Sequence, residues 1–422
     1  MVLFLSGVKG DTRRYRTFHP YQQLQMAGVP CTYRHITAGG ISRLLPGMQV
    51  VVLHRVPMDS NVKSLVRQAR RQGTTVLVDV DDLTFDPQAF QWINSPDFQD
   101  PVRRRIYQQD MLRQRATIEA SDGVIASTNF LAEEIRKLGK PAWVHRNGFS
   151  QEVLQLSESA RRSKSEGAGP TVIGYASGTP THDRDFALVR QALLEILAEQ
   201  ENVTLHLVGP LDPGAGFERF GGSASVRIRR LPFVPWRNLP AILRDFDINL
   251  APLVLDNPFS QSKSEIKYME AGLVDVPTVA SPTDAFRFAI THGENGLLAD
   301  SPEAWKACLL RLVTEPDFRR QMGKEAYRHV LQEYSPEKRA DQLLETLNEI
   351  SEHVRGKPLF SFVSEAHNGT TVNNIPVEWE RMPTNTQRGW YSLRHRGILV
   401  LLGEIWVYIR RLMSPIFPFR KP

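Results

Sequence analysis

The feature that most constrains the fold of this chain is a repeated alternation of short apolar runs with stretches of helical periodicity. Apolar runs that end in Gly, Asp or Ser and alternate with helices are typical of βαβ units, whose strands form a parallel sheet. The chain is therefore predicted to be an α/β protein. The predicted strands are residues 2–7, 49–56, 75–82, 123–128, 142–148, 171–178, 203–210, 226–234, 247–253, 277–281 and 296–300.

The alternation is interrupted once, at residues 157–170, whose polar sequence with Gly and Pro predicts a linker. We therefore predict two Rossmann-like, doubly wound domains, 1–156 and 171–355, whose strands end on either side of one cleft. Such folds bind ligands at the carboxyl ends of their strands. Residues 356–393 lack periodicity and are predicted to be an extended connector, followed by a basic, apolar tail at 394–422.

Within the second domain, the segment 262–281 has the sequence SKSEIKYMEAGLVDVPTVAS. Ser262 and Glu265 form the pattern of a capping box, in which each side chain satisfies a free backbone N–H at a helix start. A helix is therefore expected over residues 263–272.

Three charged residues, Lys263, Lys267 and Glu270, would share one face of this helix, at spacing i, i+4 and i+7. Lysines in a first turn oppose the helix dipole, which favours anions there by up to ~1 kcal/mol. An anionic ligand reverses this argument, because free N–H groups and two ammonium groups would converge on it. Phosphate near the lysines and hydroxyls near Glu270 describe a nucleotide ribose-diphosphate. A surface helix in which Lys267 pairs with Glu270 is the alternative.

The order of several stretches resembles a known family. The second half resembles the donor-binding domain of retaining GT-B glycosyltransferases of the large group 1 family, and the first half agrees more loosely. The resemblance implies transfer of a sugar from a nucleotide-sugar donor to a glycan or lipid-linked acceptor in the cleft. It also implies that the nucleotide sugar is a substrate and that no cofactor and no metal is required. The matching stretches are 6–16, 127–148, 174–178, 205–210, 233–253, 263–281 and 294–300.

The resemblance also assigns donor contacts. Glu270 matches the glutamate that holds the nucleotide ribose, whereas Ser262 stands where the family has a second glutamate facing the donor sugar. The Arg and Lys that clamp the diphosphate are missing from the equivalent stretch, 177–186, which contains no lysine. We expect lysines of the 263–272 helix and backbone amides after the first strand of the domain to replace them. The expected donor-binding residues are Gly7, Gly178, Thr179, Lys263, Lys267 and Glu270.

Two histidines are expected to act in catalysis. His182 is expected to donate to the diphosphate or the sugar, with a capping or surface histidine as the alternative. His54 ends a buried-looking strand, where side chains of such folds point into the cleft. Arg13, Arg14 and Arg16 begin a predicted helix and could reach a phosphate-bearing acceptor. Arg13, Arg16 and Asp81 are assigned to the acceptor side, although an arginine run is more often a solvated face.

A rival function follows from Asp79 and Asp81, which resemble the first motif of haloacid-dehalogenase-type, metal-dependent phosphatases. Against that function, Leu83 stands where the motif needs Thr or Val, and the strand is not the first of its domain. A non-catalytic module that binds sugar nucleotides is a second alternative, because Ser262 and the missing clamp depart from the family pattern. No zinc spacing or P-loop occurs in the sequence.

The net charge of +6 is concentrated in the tail. Residues after 380 include eight basic residues and one acid, which is +7 and leaves −1 for residues 1–380. A nucleic-acid-binding body carries a basic face, so we expect no nucleic-acid partner. The apolar run 397–409 is too short for a bilayer, which needs ~20 residues. The tail is therefore expected either to contact an anionic membrane surface or to pack on the folded domains.

The two cysteines, Cys31 and Cys308, are too few and too distant in sequence for a disulfide framework or a metal cluster, and they fit a reducing compartment. Residues 1–7 are too short for the apolar region of a secretory signal. We therefore expect a cytoplasmic protein that acts at the inner face of the membrane if the tail binds lipid.

Overall fold

The computed structural model describes residues 1–93, 95, 98, 100–163, 169–220, 227–360, 391–396, 401, 402 and 405. Over these residues the chain forms two parallel, six-stranded sheets covered by helices. The prediction of two doubly wound α/β units is confirmed.

The first sheet is fully parallel and its central strands are buried on both faces, which explains their continuous apolar sequences. The sheet is built from β1 (Val2–Ser6), β2 (Cys31–His35), β3 (Val50–His54), β4 (Thr75–Val80), β5 (Gly123–Ala126) and β6 (Ala142–Val144), in the order β2-β1-β3-β4-β5-β6. The strand β2 has no counterpart among the predicted strands, because this half-exposed edge strand, CTYRH, contains no apolar run.

The second sheet repeats this arrangement. It is built from β7 (Thr171–Ala176), β8 (Val203–Val208), β9 (Ile228–Leu231), β10 (Ile248–Ala251), β11 (Thr278–Ala280) and β12 (Leu297–Leu298), in the order β12-β11-β10-β7-β8-β9. The strands are shorter than their predicted ranges because the polar residues at the carboxyl ends leave the sheet as loops. Those loops reach the cleft at the point where the strand order reverses, between β7 and β10.

Helices cover both sheets. Those of the first half are α1 (His19–Met26), α2 (Ile41–Leu44), α3 (Ser60–Arg71), α4 (Pro101–Ala120), α5 (Asn129–Lys137) and α6 (Gln151–Ser163). Those of the second half are α7 (Asp183–Glu199), α8 (Leu239–Arg244), α9 (Pro258–Gln261), α10 (Ile266–Gly272), α11 (Asp284–Ala289), α12 (Pro302–Thr314), α13 (Pro316–Tyr334) and α14 (Pro336–Arg355). A five-residue π-helix, Arg14–Phe18, precedes α1.

Two helices differ from the predicted division of the chain. The helix α6 occupies much of the predicted linker 157–170, because its apolar residues pack against the second domain and its Arg161 pairs with Asp275 at 2.8 Å. The helix α14 lies within the predicted second domain but packs on the first. Its Leu343 and Leu347 share an apolar cluster with Phe4 of β1, so the chain returns to cover the outer face of the first sheet.

Residues 361–390 of the connector, and most of the tail, lie outside the described residues. The described segment 391–395 is helical and packs on the start of α3. The Tyr391 hydroxyl donates to a carboxylate oxygen of Asp59 at 2.9 Å, and the Asn61 side-chain amide donates to that hydroxyl at 3.3 Å. Among the described residues, no helix has the length and apolar character needed to cross a bilayer.

Candidate active site

A cleft of about 300 Å³ lies between the carboxyl ends of the two sheets, within the size range of small-molecule sites. The first domain contributes the loop after β1, the residues after β4 and Asn147. The second domain contributes the residues after β7, the loop after β9 and the start of α10. The charged residues that line the cleft are Asp11, Arg14, Asp81, Asp82, His182, Lys263, Lys267 and Glu270.

The predicted capping box is wrong. The helix α10 begins at Ile266, three residues later than predicted, and no side chain caps it. Ser262 is instead the C-cap residue of the preceding short helix α9, and its hydroxyl donates to the Phe259 carbonyl at 2.7 Å. Glu265 accepts from the Tyr334 hydroxyl at 3.0 Å and pairs with Arg146 at 3.4 Å, so its side chain connects the domains and cannot reach back to a cap.

The two lysines therefore occupy different environments. Lys263 lies in the loop before α10, where its ammonium pairs with Asp82 of the first domain at 2.9 Å. Lys267 lies within α10, donates to the Ala176 carbonyl and stands 4.8 Å from the Tyr175 ring. Burial lowers the pKa of Lys267 to about 8, although Glu270 opposes the shift. An anion beside this lysine would raise its pKa again, because a negative charge stabilises the protonated form.

Glu270 lies one turn further along α10 and contacts the first domain. Its carboxylate accepts a hydrogen bond from the Tyr15 hydroxyl. Burial raises the pKa of the Tyr15 hydroxyl well above its usual value, so Tyr15 remains a donor. Burial also raises the pKa of Glu270, and the nearby Arg14 guanidinium opposes that shift. Glu270 thus has one hydrogen-bonded oxygen and capacity to accept further hydroxyl groups.

His182 lies at the cleft, just before α7. Its Nδ1 is 2.9 Å from an Asp185 carboxylate oxygen. Because a carboxylate only accepts, Nδ1 carries the proton and a neutral ring presents Nε2 as an acceptor. Burial lowers the pKa of His182 and favours that neutral form. His182 is therefore better suited to accept from a sugar hydroxyl than to donate to a phosphate.

The residues after β3 and β4 form one ionic cluster in the first domain. Arg55 donates to Asp81 at 2.5 Å and to Asp82 at 2.9 Å. Arg55 has φ of 48°, a left-handed conformation that is unfavourable for a side chain of this size and is often found at functional sites. Burial raises the pKa of Asp81, but Arg55 and His54 outweigh it and hold that pKa well below its ordinary value.

His54 is buried at the end of β3 and does not reach the cleft. Its two ring nitrogens lie 3.4 Å from the Ser6 hydroxyl and 3.4 Å from an Asp81 oxygen. The structure therefore gives His54 a contact with Asp81, which does line the cleft.

Arg16 and Asp79 form a buried ion pair in the first domain. Two nitrogens of Arg16 donate to the two carboxylate oxygens of Asp79 at 2.8 and 2.7 Å, and Arg16 also donates to the His145 carbonyl at 2.7 Å. Arg16 is 1% exposed. The Arg16 guanidinium therefore makes its hydrogen bonds inside the first domain. Both carboxylate oxygens of Asp79 accept from it, so they are not free to bind a metal ion.

Of the remaining predicted residues, some line the cleft and others lie away from it. Gly7 packs so closely on the end of β3 that a Cβ there would lie 2.2 Å from the Arg55 carbonyl oxygen. Gly178 lines the cleft, whereas Thr179 is exposed and its hydroxyl contacts that of Thr181 at 2.7 Å. Among the described residues that line the cleft, Gly7, Arg13, Arg16, His54 and Thr179 do not occur.

Sequence reasoning missed Tyr15 and Trp236, and it placed Arg14 with Arg13 and Arg16 on the acceptor side. Arg14 lies in the arginine run that includes Arg13 and Arg16, but the π-helix turns only Arg14 of the three toward the cleft. Its guanidinium lies 4.3 Å from the Tyr15 ring and 4.6 Å from the Trp236 ring. Helical periodicity assumes regular turns, so it could not select the correct arginine.

Comparison with known proteins places this geometry in context. Residues 188–345 match the family described as glycosyl transferase-like. The fold is similar to HepE of Anabaena, crystallised with UDP, with TM-score 0.56, 14% identity and coverage of 82% of this chain and 99% of that one. Sucrose-phosphate synthase from Thermosynechococcus elongatus gives TM-score 0.58, 14% identity and coverage of 84% and 100%. A glycosyltransferase from Rickettsia africae gives TM-score 0.58 and 12% identity, with coverage of 83% of this chain and 98% of that one. No curated protein sequence matches the chain.

The paired sheets, the cleft between them and the matching segment together define the class of protein. The chain is a glycosyltransferase of the GT-B fold. The resemblance stated from the sequence is confirmed for the fold and for the class of enzyme.

Proposed function

We propose that this glycosyltransferase moves a sugar from a nucleotide-sugar donor to a glycan or lipid-linked acceptor, with retention and without a metal ion. The observation that carries the proposal is that Lys267 and Glu270 lie on one short helix, α10, and that both line the cleft. A partly buried cation near a partly buried carboxylate matches the phosphate and the diol of a nucleotide.

The diphosphate is proposed to lie between Lys267, Lys263 and Gly178, at the carboxyl end of β7. Lys267 is partly buried and its pKa is lowered to about 8 by desolvation, so an anion beside it would stabilise its charged form. Lys263 is held by Asp82 and would be shared with the phosphate. These cationic groups would stabilise the leaving diphosphate, and preorganised charge of this kind is a major source of catalysis.

The nucleoside is proposed to lie on the far side of Glu270. There the cleft is lined by apolar side chains from β8, the loop after β9 and α8, and an apolar slot suits the faces of a base. The crystallisation of the similar Anabaena protein with UDP supports a nucleotide donor. The apolar residues are Val208, Phe233, Val234, Trp236, Leu239 and Leu243.

The acceptor is proposed to enter beside Asp81 and Asp82. Inversion would require a free general base next to the acceptor hydroxyl. Both of these carboxylates are ion-paired, so neither is a free base for an acceptor beside them. This supports retention, provided that His182 contacts the donor sugar and not the acceptor hydroxyl. Transfer would then depend on positioning the two substrates and stabilising the departing diphosphate.

A first test is turnover in the presence of a chelator. Because the phosphate charge is met by lysines, sugar transfer from the preferred nucleotide sugar should be unchanged by excess EDTA. Anomeric analysis of the product by NMR should show the configuration of the donor. The screen would cover UDP-, GDP-, dTDP- and CMP-sugars, each with and without EDTA.

The outcome separates the alternatives. Complete loss of transfer on chelation, recovered with a divalent ion, would contradict metal-independent transfer. Metal-dependent release of phosphate from a phosphomonoester would favour the phosphatase function, for which Asp79 would have to leave Arg16. Nucleotide-sugar binding without turnover on any acceptor would favour the non-catalytic module.

A peripheral membrane contact is proposed for the tail. The described residues Leu393, which ends the connector, and Leu402 and Ile405 of the tail are 38%, 53% and 44% exposed, and the sequence around them is basic. Each basic residue near an anionic surface contributes ~1 kcal/mol, and buried apolar side chains add to that. The enzyme would then work where a lipid-linked acceptor is located.

Liposome co-sedimentation tests this contact. The full chain should bind vesicles rich in anionic lipid and be released by salt. A chain ending at Arg396 keeps the segment that contacts Asp59 and should bind several-fold less. Equal binding by the two chains would contradict a membrane role for residues after 396.

A further inference from the structure

The π-helix Arg14–Phe18 brings two side chains of the first domain to the donor-binding half of the cleft. The Tyr15 hydroxyl donates to Glu270, and the Arg14 guanidinium stacks on Trp236 at 4.6 Å. π-helical turns are rare and often occur at functional sites. The first domain therefore contributes directly to the region where the nucleoside is proposed to bind.

Arg14 is nearly fully buried, at 3% exposed, yet it lines the cleft. Its guanidinium lies between the rings of Tyr15 and Trp236. Within the part of the chain that the structure describes, its Nε has no hydrogen-bond partner. A buried, unsatisfied charged donor is costly, so such a group calls for an explanation. A ligand that supplies an acceptor would satisfy it.

The position of Arg14 indicates which part of the ligand would supply this acceptor. The lysines mark the phosphate end of the cleft. Arg14 borders both the main cleft and a small adjoining recess formed by Trp236, Leu239, Leu243 and Glu270. It therefore lies on the nucleoside side of Glu270, beside the apolar slot.

We propose that Arg14 contacts the base of the donor nucleotide and selects it, an inference that rests on the proposed nucleotide-sugar function. A guanidinium only donates hydrogen bonds. It therefore favours uracil and guanine, which carry an acceptor oxygen at position 4 or 6, over cytosine and adenine, which carry a donating amino group there.

Calorimetric titration of UDP, GDP, CDP and ADP tests the proposal. The wild type should bind UDP or GDP more tightly than CDP and ADP. In Arg14→Met, affinity for the preferred nucleotide should fall about tenfold or more, and affinity for the others should change little. The ratio of the affinity for the preferred nucleotide to the affinities for the others should therefore approach one. A structural defect would instead lower all four affinities by the same factor.

Arg237→Met is a matched control. The Arg237 guanidinium also lies over the Trp236 ring, 4.4 Å from its centroid, but its Nε donates to Glu152 at 2.6 Å and Arg237 is not among the described residues that line the cleft. It should keep the wild-type ratio between bases. If Arg14→Met does not fold, Arg14→Lys keeps the charge but loses the planar fork, and the same change in the ratio is expected.

Two results are distinguished. Unchanged affinities, or an equal loss for all four nucleotides, would overturn the role of Arg14 and leave the proposed function intact. Absence of binding by the wild type to every nucleotide would contradict the proposed function, and this inference with it.

Discussion

Replacing Glu270 by Gln should lower the affinity for the nucleotide-sugar donor by about ten- to a hundredfold. The amide oxygen of Gln can still accept from the Tyr15 hydroxyl, so the contact between the domains is kept. The loss is that of a charged acceptor for the ribose hydroxyls, and hydrogen bonds to charged groups contribute about 1.5–3 kcal/mol. Calorimetric titration with the preferred donor measures the effect.

The control is Glu158→Gln. Glu158 also accepts from a tyrosine hydroxyl, that of Tyr327, and pairs with Arg161 at 3.0 Å, but it is not among the described residues that line the cleft. Donor affinity should be unchanged in this variant. Wild-type affinity in Glu270→Gln would remove the main support for the proposed donor site.

Replacing Arg16 by Met should destabilise the protein by about 3–5 kcal/mol, because it leaves the buried Asp79 carboxylate without its partner. The side chains of the pair are 0% and 4% exposed. The double variant Arg16→Met with Asp79→Leu should recover most of the lost stability, since a well-packed apolar pair is often as stable as a buried ion pair. Urea denaturation gives the free energy of unfolding for each variant.

A surface pair provides the comparison. Arg320 and Asp317 pair within one helix but are 58% and 93% exposed, so Arg320→Met should change stability little. A loss for Arg16→Met no greater than that for Arg320→Met would contradict a structural role for the Arg16–Asp79 pair. It would also reopen the assignment of Arg16 to the acceptor.

The sequence predicted the α/β class, the two doubly wound units and most strand positions. These depend on local patterns, because a strand buried on both faces must be a continuous apolar run. It also selected Glu270, Lys263, Lys267 and His182 for the cleft, all of which line it. Those residues lie at the carboxyl ends of strands or at the start of the following helix, where the topology places ligand-binding groups.

Tertiary structure decided which polar side chains serve the site and which serve the fold. Arg14 and Arg16 are two residues apart, yet one lines the cleft and the other is buried on Asp79. Likewise Ser262 and Glu265 match a capping box in sequence, but Ser262 also lies 3.2 Å from an Asp82 carboxylate oxygen of the first domain and Glu265 accepts from Tyr334. A local pattern gives the residues that are able to pair. Which pairs form depends on the partners that folding brings within hydrogen-bond distance, and those partners come from other strands and from the other domain.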